Sequence, residues 1–300
     1  MNTTMNSETS EKAHKNLVHD LNNHKGFTVG HINCNGLLNK IDEIRIILEE
    51  SEFDILAITE SHLSENVTDD EIRVENYEII RKDRNDGSTQ WGGVAIYYKG
   101  CLNTSEYFIQ SCNIEAIWLN IILKGQTFLL CCVYRHPNDK NFLQKFQKCL
   151  DHFIRRTNIV IVGDINFDLS KNVVSNNHDT KKVQDYKLLL KTNNLRNIIK
   201  DYTKITCDTK TIVDHILITH VSKVKSSGVY DPCISDHCLI YVTLNFERQR
   251  QAPVYKTTKN YKKVDLNQLR KDIANVPWWV TTVFDDIDDT TWAWNTLYDD

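Results

Sequence analysis

The chain has 300 residues, 36 of them basic and 40 acidic, so its formal net charge at pH 7 is −4. This length fits one large domain or two small ones, and the near balance of charges excludes a protein that is basic over its whole surface. Any binding of nucleic acid must therefore depend on a local basic face. The nine cysteines include no C-x-x-C pair, and several lie within apolar runs, which favours a reduced intracellular protein over a disulfide framework.

The first 25 residues are polar and rich in Asn, Ser, Thr and Lys. They contain no apolar stretch of the kind found in secretion signals, so we expect a disordered leader, residues 1–25, in a protein that is not secreted. No run of about 18 apolar residues occurs along the chain, and we therefore expect no membrane span.

The hydrophobic pattern from residue 26 to residue 247 alternates between strand-like and helix-like segments. Short runs of β-branched and aromatic residues predict strands, whereas apolar residues spaced three and four apart predict amphipathic helices. The predicted strands are 27–32, 54–59, 77–81, 93–98, 114–123, 127–134, 159–163, 212–219 and 238–246. The predicted helices are 37–50, 139–156 and 181–192.

The connections between the strands of 77–134 are too short for crossover helices, so these strands must pair antiparallel. Together with the flanking helices, this pattern predicts an α+β fold of four layers. We expect a four-layer α/β sandwich, in which two packed and mostly antiparallel sheets are flanked by helices.

The composition changes after Phe246, which places the end of the predicted domain near residue 247. Residues 248–271 are rich in Lys, Arg and Gln, whereas 277–300 hold four tryptophans among several aspartates. We interpret 248–300 as a basic and then acidic, Trp-rich linker that leads into a downstream region. The basic part, 254–271, equally fits a linker or an added nucleic-acid-binding arm.

One stretch of this domain combines a buried strand with reactive side chains. Residues 159–162 are all β-branched, and they run directly into Gly163, Asp164 and Asn166. Residues two apart in an extended chain share one face, so the carboxylate and the amide are predicted to point the same way at the end of the strand. An Asx turn that closes the strand would use the same residues, and this stretch alone favours neither interpretation.

Other predicted strands also end in polar residues, and the set decides between the two interpretations. Together these residues supply the parts of a phosphodiester hydrolase, which needs a metal ligand, a base and donors to phosphate oxygens. The set comprises Asn33, Glu60, Tyr134-Arg135-His136-Pro137, Asp164, Asn166, Asp214-His215 and Ser235-Asp236-His237.

Each residue type suits one part of that chemistry. Glu60, with oxygen ligands nearby, suits Mg²⁺ or Mn²⁺, because no Cys/His spacing typical of Zn²⁺ occurs. Asp164 suits the orientation and deprotonation of an attacking water. Asn166 and Tyr134 can donate hydrogen bonds to oxygens that gain charge in the transition state.

The remaining pair is a histidine and a carboxylate. His237 can bond the phosphate, and Asp214 within an apolar strand needs a partner because a lone buried carboxylate is costly. A histidine hydrogen-bonded to such a carboxylate is held in one tautomer, and its imidazolium form is favoured.

The order of these motifs resembles the endonuclease/exonuclease/phosphatase superfamily, which has the deoxyribonuclease-I-like fold. Within it, the chain looks most like the apurinic endonuclease-like domain of LINE-type, non-LTR retrotransposons, over roughly residues 27–246. The stretches typical of that group are HINCNGLLNKIDEI at 31–44, ITESHL at 58–63, GGVAIY at 92–97 and VYRHP at 133–137.

This resemblance assigns a role to each candidate residue. It implies a metal site for Mg²⁺ or Mn²⁺ made of Glu60, Asn33 and Asp236. It implies substrate binding by Arg135 and Asn166. The catalytic residues that it implies are Asp164, Asn166, His237, Asp214 and Tyr134.

The implied function is a metal-dependent endonuclease that nicks one strand of DNA, bound through its phosphate backbone. Further cationic contacts are expected from Arg84, Lys99, Lys171 and Lys204. In a retrotransposon the nick primes reverse transcription, so we expect a reverse transcriptase domain in the full-length polyprotein, a monomeric state and a nuclear location.

Two alternatives stay open at this point. The first is a hydrolase of the same superfamily with another substrate, such as an inositol phosphate, a lipid or RNA. The second is a nucleic-acid-binding module that has lost catalysis, and the presence of Glu60, Asp164 and His237 argues against it.

Overall fold

The computed structural model describes residues 25–51, 53–84, 91–109, 113–124, 126–170, 178–246 and 265–276, together with Leu17 and Leu21. The chain divides into two units, Met1–Arg250 and Gln251–Asp300. The described strands of the first unit are β1 (Phe27–Asn33), β2 (Ile55–Thr59), β3 (Tyr77–Lys82), β4 (Val94–Lys99), β5 (Asn103–Glu106), β6 (Glu115–Leu123), β7 (Gln126–Tyr134), β8 (Ile159–Asp164), β9 (Arg196–Asn197), β10 (Lys204–Ile205), β11 (Lys210–Thr211), β12 (Asp214–Ile218), β13 (Val224–Tyr230) and β14 (Leu239–Leu244). Its helices are α1 (Ile41–Ser51), α2 (Phe142–Asp151) and α3 (His178–Thr192), with 3-10 turns at Leu38–Lys40 and Val221–Lys223.

Twelve of these strands form two six-stranded sheets, and β10 and β11 pair antiparallel as a separate two-stranded hairpin. The first sheet has the order β13-β14-β1-β2-β4-β3, and the second has the order β5-β6-β7-β8-β12-β9. Each sheet contains one parallel pair, β1 with β2 and β7 with β8, and its other pairs are antiparallel. The predicted fold class, an α/β sandwich of mostly antiparallel sheets, is confirmed.

Three hydrophobic clusters hold the layers together. The largest lies between the sheets and includes Val29 of β1, Leu130 of β7 and Val162 of β8. A second cluster packs α2 and α3 on the outer face of the second sheet, and a third packs α1 on the outer face of the first. Burying both faces of each central strand explains why β1, β2 and β8 are buried at every position.

The predicted elements are recovered with changes at their ends. The predicted helix 37–50 begins as a 3-10 turn before α1, and the predicted helix 139–156 is shorter, as α2. Five of the described strands, β5, β9, β10, β11 and β13, were not predicted. Strands β9, β10 and β11 have only two residues each, which is too short to show an alternating pattern. Strand β5 is a mostly exposed edge strand and β13 is a partly buried edge strand rich in polar residues, so both carry little of the alternation by which strands are recognised.

The predictions for the two ends of the chain fall largely outside the described residues. In the leader, Leu17 and Leu21 are helical and buried in the cluster that contains α1, so disorder does not describe these two residues. In the second unit, helix α4 spans Leu266–Asn275, and Asp265 is its N-cap. The carboxylate of Asp265 accepts hydrogen bonds from two backbone N–H groups of the first turn. No helix in the described part of the chain is long and apolar enough to cross a membrane.

Candidate active site

Polar residues from both sheets meet at one end of the sandwich. The first sheet contributes Asn33 at the end of β1, Glu60 just after β2 and His237 just before β14. The second sheet contributes Asp164 at the end of β8 and Asp214 at the start of β12. Hydrogen bonds join the two groups, so the structure brings together residues separated by up to 204 positions in sequence.

Asn33 connects the carboxylates of the two sheets. Its side-chain amide donates to Glu60 Oε1 at 3.0 Å and to Asp164 Oδ2 at 2.9 Å. Its amide oxygen accepts from the backbone of Asn35 at 3.1 Å, which fixes the orientation of the amide. The two carboxylates therefore share a single neutral donor and lie side by side in the site.

Glu60 is held ionised despite its partial burial. Burial opposes ionisation, but the proximity of His62, the hydrogen bond from Asn33 and the proximity of Tyr134 outweigh it and lower the pKa of Glu60 to about 2. His62 Nε2 lies 3.6 Å from Glu60 Oε2. Both residues have left-handed backbone conformations, with φ of 50° and 51°, which is a strained arrangement often found where a site fixes side chains.

Asp164 and Asp214 are directly opposite each other in the antiparallel pair of β8 and β12. Two buried like charges at such positions repel, so their protonation equilibria separate. Burial first, and then the charge of Asp214, raise the pKa of Asp164. Burial also disfavours the Asp214 carboxylate, but the charge and hydrogen bond of His237 prevail and lower its pKa.

His237 and Asp214 form a buried dyad. His237 Nδ1 lies 2.8 Å from Asp214 Oδ2, and both side chains are almost fully buried. Burial lowers the pKa of His237, but the charge and the hydrogen bond of Asp214 outweigh it and raise it to about 9. With Nδ1 taken by Asp214, only Nε2 is left to face a substrate.

His31 completes the surroundings of this dyad. Its Nδ1 lies 3.8 Å from Asp214 Oδ1, and both of these buried atoms lack a hydrogen-bond partner. His31 Nε2 lies 3.1 Å from the hydroxyl of Thr59. The tautomer with hydrogen on Nδ1 accepts from Thr59 and directs its N–H at Asp214, so it is the form that leaves the fewest buried groups unsatisfied.

Asn166 and Tyr134 lie beside the carboxylates. The backbone N–H of Asn166 donates to Asp164 Oδ1 at 3.1 Å, and its side-chain amide donates to the carbonyl of Arg135 at 2.9 Å. One hydrogen of that amide is thereby used to hold the loop, and the other remains available for a substrate oxygen. Tyr134 lies near Glu60, and burial followed by the charge of Glu60 raises the pKa of Tyr134, so its hydroxyl stays protonated and can donate.

Arg135, which was predicted to bind the substrate, is buried beside the loop that carries Asn166. Arg135 is 5% exposed, and its guanidinium donates to the carbonyls of Asn166 at 3.1 Å and Pro137 at 3.0 Å. It also stacks over the ring of Phe167, 4.1 Å from the ring centroid. Arg135 thus faces inward and holds the loop that carries Asn166, because its planar fork fits converging carbonyl groups.

Replacing Arg135 with Met should lower the free energy of unfolding by about 2–3 kcal/mol, since buried carbonyls lose their donors and the ring loses its cation. Urea unfolding measures this loss. The exposed Lys140 serves as a matched control, and Lys140→Met should leave the unfolding midpoint unchanged. If Arg135 instead bound DNA phosphate, Arg135→Met would keep its stability and lower the salt dependence of DNA binding.

The predicted metal site consists of Glu60, Asn33 and Asp236. The ionised carboxylate of Glu60 fits a hard divalent cation, whereas Asn33 turns its amide nitrogen toward Glu60 and its oxygen toward the backbone N–H of Asn35. Asp236, the third predicted ligand, is 40% exposed and paired with Lys204 at 3.0 Å, so the structure places it in an ion pair. Asp164, Asp214 and His237 also cluster closely enough to hold a metal, but Asp214 and His237 bond each other there. Glu60 is therefore the best-placed ligand.

Two of the other cations predicted to contact phosphate form ion pairs within the protein. Arg84 pairs with Glu115, and Lys99 pairs with Asp54 at 3.5 Å. Lys171 lies outside the described residues. Among the three of these cations that the structure describes, only Lys204 contacts the site itself, through His237.

Three further residues support the site and were not assigned a role from the sequence. His62 lies against Glu60, and the hydroxyl of Thr203 accepts from the backbone N–H of Asp214 at 3.0 Å. Ser235 Oγ donates to the carbonyl of Asn33 at 2.7 Å and accepts from the N–H of His237 at 3.0 Å. His62 and Ser235 lie two residues from Glu60 and His237, a spacing that could have suggested a role, whereas Thr203 carries no such signal.

Comparisons with known proteins agree with this geometry. The model of the Endonuclease/Exonuclease/phosphatase family matches residues 30–237. No curated protein matches the chain.

Solved structures of three nucleases or phosphatases share the fold. The endonuclease domain of TRAS1, a telomere-specific non-LTR retrotransposon, has a TM-score of 0.56 at 14% identity and covers 74% of this chain and 100% of its own. The AP endonuclease LMAP from Leishmania major has a TM-score of 0.61 at 12% identity, with coverage of 73% and 87%. The 3' phosphatase NExo from Neisseria, bound to a product DNA hairpin, has a TM-score of 0.55 at 14% identity, with coverage of 73% and 99%. At these identities the likeness concerns the fold alone.

Proposed function

The chain belongs to the endonuclease/exonuclease/phosphatase family, and from that premise we propose that it is a metal-dependent endonuclease that nicks DNA. The observation that carries the proposal is the amide of Asn33, which bonds Glu60 and Asp164 at once. This contact holds a metal-type carboxylate and a base-type carboxylate side by side, with the dyad of Asp214 and His237 next to them. Hydrolysis of a phosphodiester needs these components in one place.

Asp164 is the residue best suited to take the proton of the attacking water. A carboxylate with a raised pKa is a stronger base than an ordinary aspartate, and Asn33 and the backbone of Asn166 fix its orientation. The hydrogen that Asp164 accepts leaves a nucleophile aimed at the phosphorus. Repulsion from Asp214 favours this uptake of a proton.

His237, Asn166 and Tyr134 are assigned to the phosphate oxygens. Asp214 binds Nδ1 of His237 and stabilises its cationic form, so Nε2–H can donate to an oxygen that gains charge. Tyr134 and the free hydrogen of the Asn166 amide supply neutral donors. A divalent cation such as Mg²⁺ or Mn²⁺ at Glu60, when bound, offsets charge on the phosphoryl oxygens.

DNA is the substrate that the comparisons favour. The names of the three similar structures refer to a retrotransposon endonuclease, an AP endonuclease and a complex with DNA. In the setting of a non-LTR retrotransposon, a nick supplies a 3′-hydroxyl for reverse transcription. We therefore propose a nuclear, monomeric domain whose full-length polyprotein carries a reverse transcriptase.

Removing divalent metal should abolish nicking. We expect supercoiled plasmid to be converted to open circles in Mg²⁺ or Mn²⁺, and EDTA to slow the conversion by at least about 10²-fold, because a metal contributes several kcal/mol to transition-state stabilisation. Agarose gels resolve the two plasmid forms. Excess Mg²⁺ added after EDTA should restore the rate, and nicking that persists at full rate in EDTA would contradict metal dependence.

The two alternatives predict different results in the same preparation. A hydrolase of inositol phosphates or lipids would release phosphate from those compounds and leave plasmid supercoiled. A binding module without catalysis would retard DNA in gels but nick it in none of the metals.

A further inference from the structure

Lys204 places its ammonium group against the outward nitrogen of the catalytic dyad. Its Nζ lies 3.0 Å from Nε2 of His237 and 3.0 Å from Oδ2 of Asp236. The side chain is 34% exposed, so it lies at the border between the buried site and solvent. It is therefore a cation positioned where a phosphate oxygen would meet the histidine.

The backbone of Lys204 is fixed to both strands that carry the dyad. On the β14 side, Cys238 N–H donates to the Thr203 carbonyl at 2.7 Å, and Ile205 N–H donates to the Asp236 carbonyl at 3.0 Å. On the β12 side, the hydroxyl of Thr203 accepts from the N–H of Asp214 at 3.0 Å. Lys204 is thus held at the site from two directions, unlike a lysine on a free loop.

The contact between Lys204 and His237 has an acceptor only in one protonation state of the histidine. An ammonium group has donors only, so it bonds Nε2 only when His237 is neutral. With a hydrogen on Nε2, two N–H donors face each other across 3.0 Å with no acceptor between them. An anion placed at this point would accept from both.

We propose that Lys204 binds the scissile phosphodiester together with His237, and that it exchanges its contacts with Nε2 and Asp236 for a nonbridging phosphate oxygen. The inference rests on the proposed function, because it names a further substrate-binding residue of the same site. A part-exposed ion pair such as Lys204 with Asp236 is weak in water and is readily exchanged for a phosphate. No proton moves in this exchange.

The test compares Lys204→Met, Lys204→Arg and Lys210→Met on two substrates. Lys210 is exposed on the partner strand of the same hairpin, so its variant removes an equal charge outside the dyad. The substrates are supercoiled plasmid and bis(4-nitrophenyl) phosphate, a small diester that reaches the dyad but no outlying surface. We expect Lys204→Met to lower kcat/KM about 10- to 100-fold on both substrates, Lys204→Arg to recover most of it, and Lys210→Met to leave the small diester unaffected.

Several outcomes would overturn the proposal. If Lys204→Met lowers kcat/KM on plasmid alone, Lys204 contacts DNA outside the dyad. If Lys204→Met raises kcat/KM, Lys204 blocks the site instead of binding the substrate. Hydrolysis of the small diester without plasmid nicking would contradict the DNA substrate and leave the role of Lys204 intact. If the wild type cleaves neither, duplex DNA binding is compared over a salt titration, and equal affinity and equal salt dependence for wild type and Lys204→Met would overturn the inference.

Discussion

Replacing Asp164 with Asn is expected to slow plasmid nicking by about 10²- to 10⁴-fold, the range contributed by a positioned general base. The substitution keeps the shape of the side chain, which is 1% exposed, but removes the negative charge and the basicity by which a carboxylate accepts a proton. Metal bound at Glu60 and phosphate bound at His237 would both remain. The loss should therefore appear in kcat far more than in KM.

The same variant should remain folded, because two effects on its stability oppose each other. Removing the charge relieves repulsion from Asp214, with which Asp164 is paired across β8 and β12. Against this, both present partners of Asp164 are N–H donors, from Asn33 and from the backbone of Asn166. The NH2 group of the new amide must face one of these donors, so one buried hydrogen bond is lost. A cooperative melt close to that of the wild type is the expected result, and an unfolded variant would leave its inactivity uninformative.

A pH series on the metal-free protein tests the environment of Asp164 separately from its activity. Because its pKa is raised on folding, the folded state holds a proton that the unfolded chain has released. This carboxyl should therefore reduce stability as the pH rises above the ordinary aspartate pKa of about 4. The difference in stability between wild type and Asp164→Asn should change in that direction, and a difference independent of pH would contradict the raised pKa.

Replacing Gly163 with Ala should destabilise the domain by about 3 kcal/mol or more, which is at or above the upper end of ordinary overpacking. The new methyl group would lie 1.8 Å from the carbonyl oxygen of Val133 and 2.8 Å from its carbonyl carbon. Both atoms belong to the backbone of β7, which pairs with β8, so no side chain can rotate away. The melting temperature should fall by about 6–12 °C, as expected for a domain of this size.

Gly100 supplies the control for that experiment. A methyl group added there would meet its nearest neighbour at 3.6 Å, which is ordinary contact, so Gly100→Ala should melt with the wild type. Gly163→Ala should also nick slowly below its melting temperature, because relief of the clash moves the adjacent Asp164. If Gly163→Ala nicks at the wild-type rate but melts at a lower temperature, the packing at Gly163 affects stability and does not fix the position of Asp164.

Much of the fold was predictable because its central strands are buried on both faces. Continuous apolar runs such as 159–162 are strong signals, and the residues that follow them in sequence are the ones that meet at the site. The family assigned by resemblance is likewise confirmed. The edge strands β5 and β13 were missed for the opposite reason, since β5 is mostly exposed, β13 is only partly buried, and neither contains a continuous apolar run.

The sequence predicted which residues form the site better than it predicted what surrounds each of their side chains. Arg135 follows a strand and is cationic, which in sequence suits a phosphate contact. Its burial depends on Phe167 and on the carbonyl of Asn166, which lies 31 residues away, and no local pattern encodes these contacts. Asp236 likewise has the residue type of a metal ligand, yet the backbone hydrogen bonds of the hairpin β10–β11 bring Lys204 to it.

The first strand of the domain lies between the second strand and the last, since β1 pairs with both β2 and β14. Ser235, just before β14, also donates to the carbonyl of Asn33. During synthesis, β1 must therefore wait for more than 200 residues before its second neighbour emerges, and pairings this distant form late in folding. An interrupted translation product could carry Glu60 and Asp164 and still lack His237. The topology thus delays completion of the candidate active site until the whole domain has been synthesised.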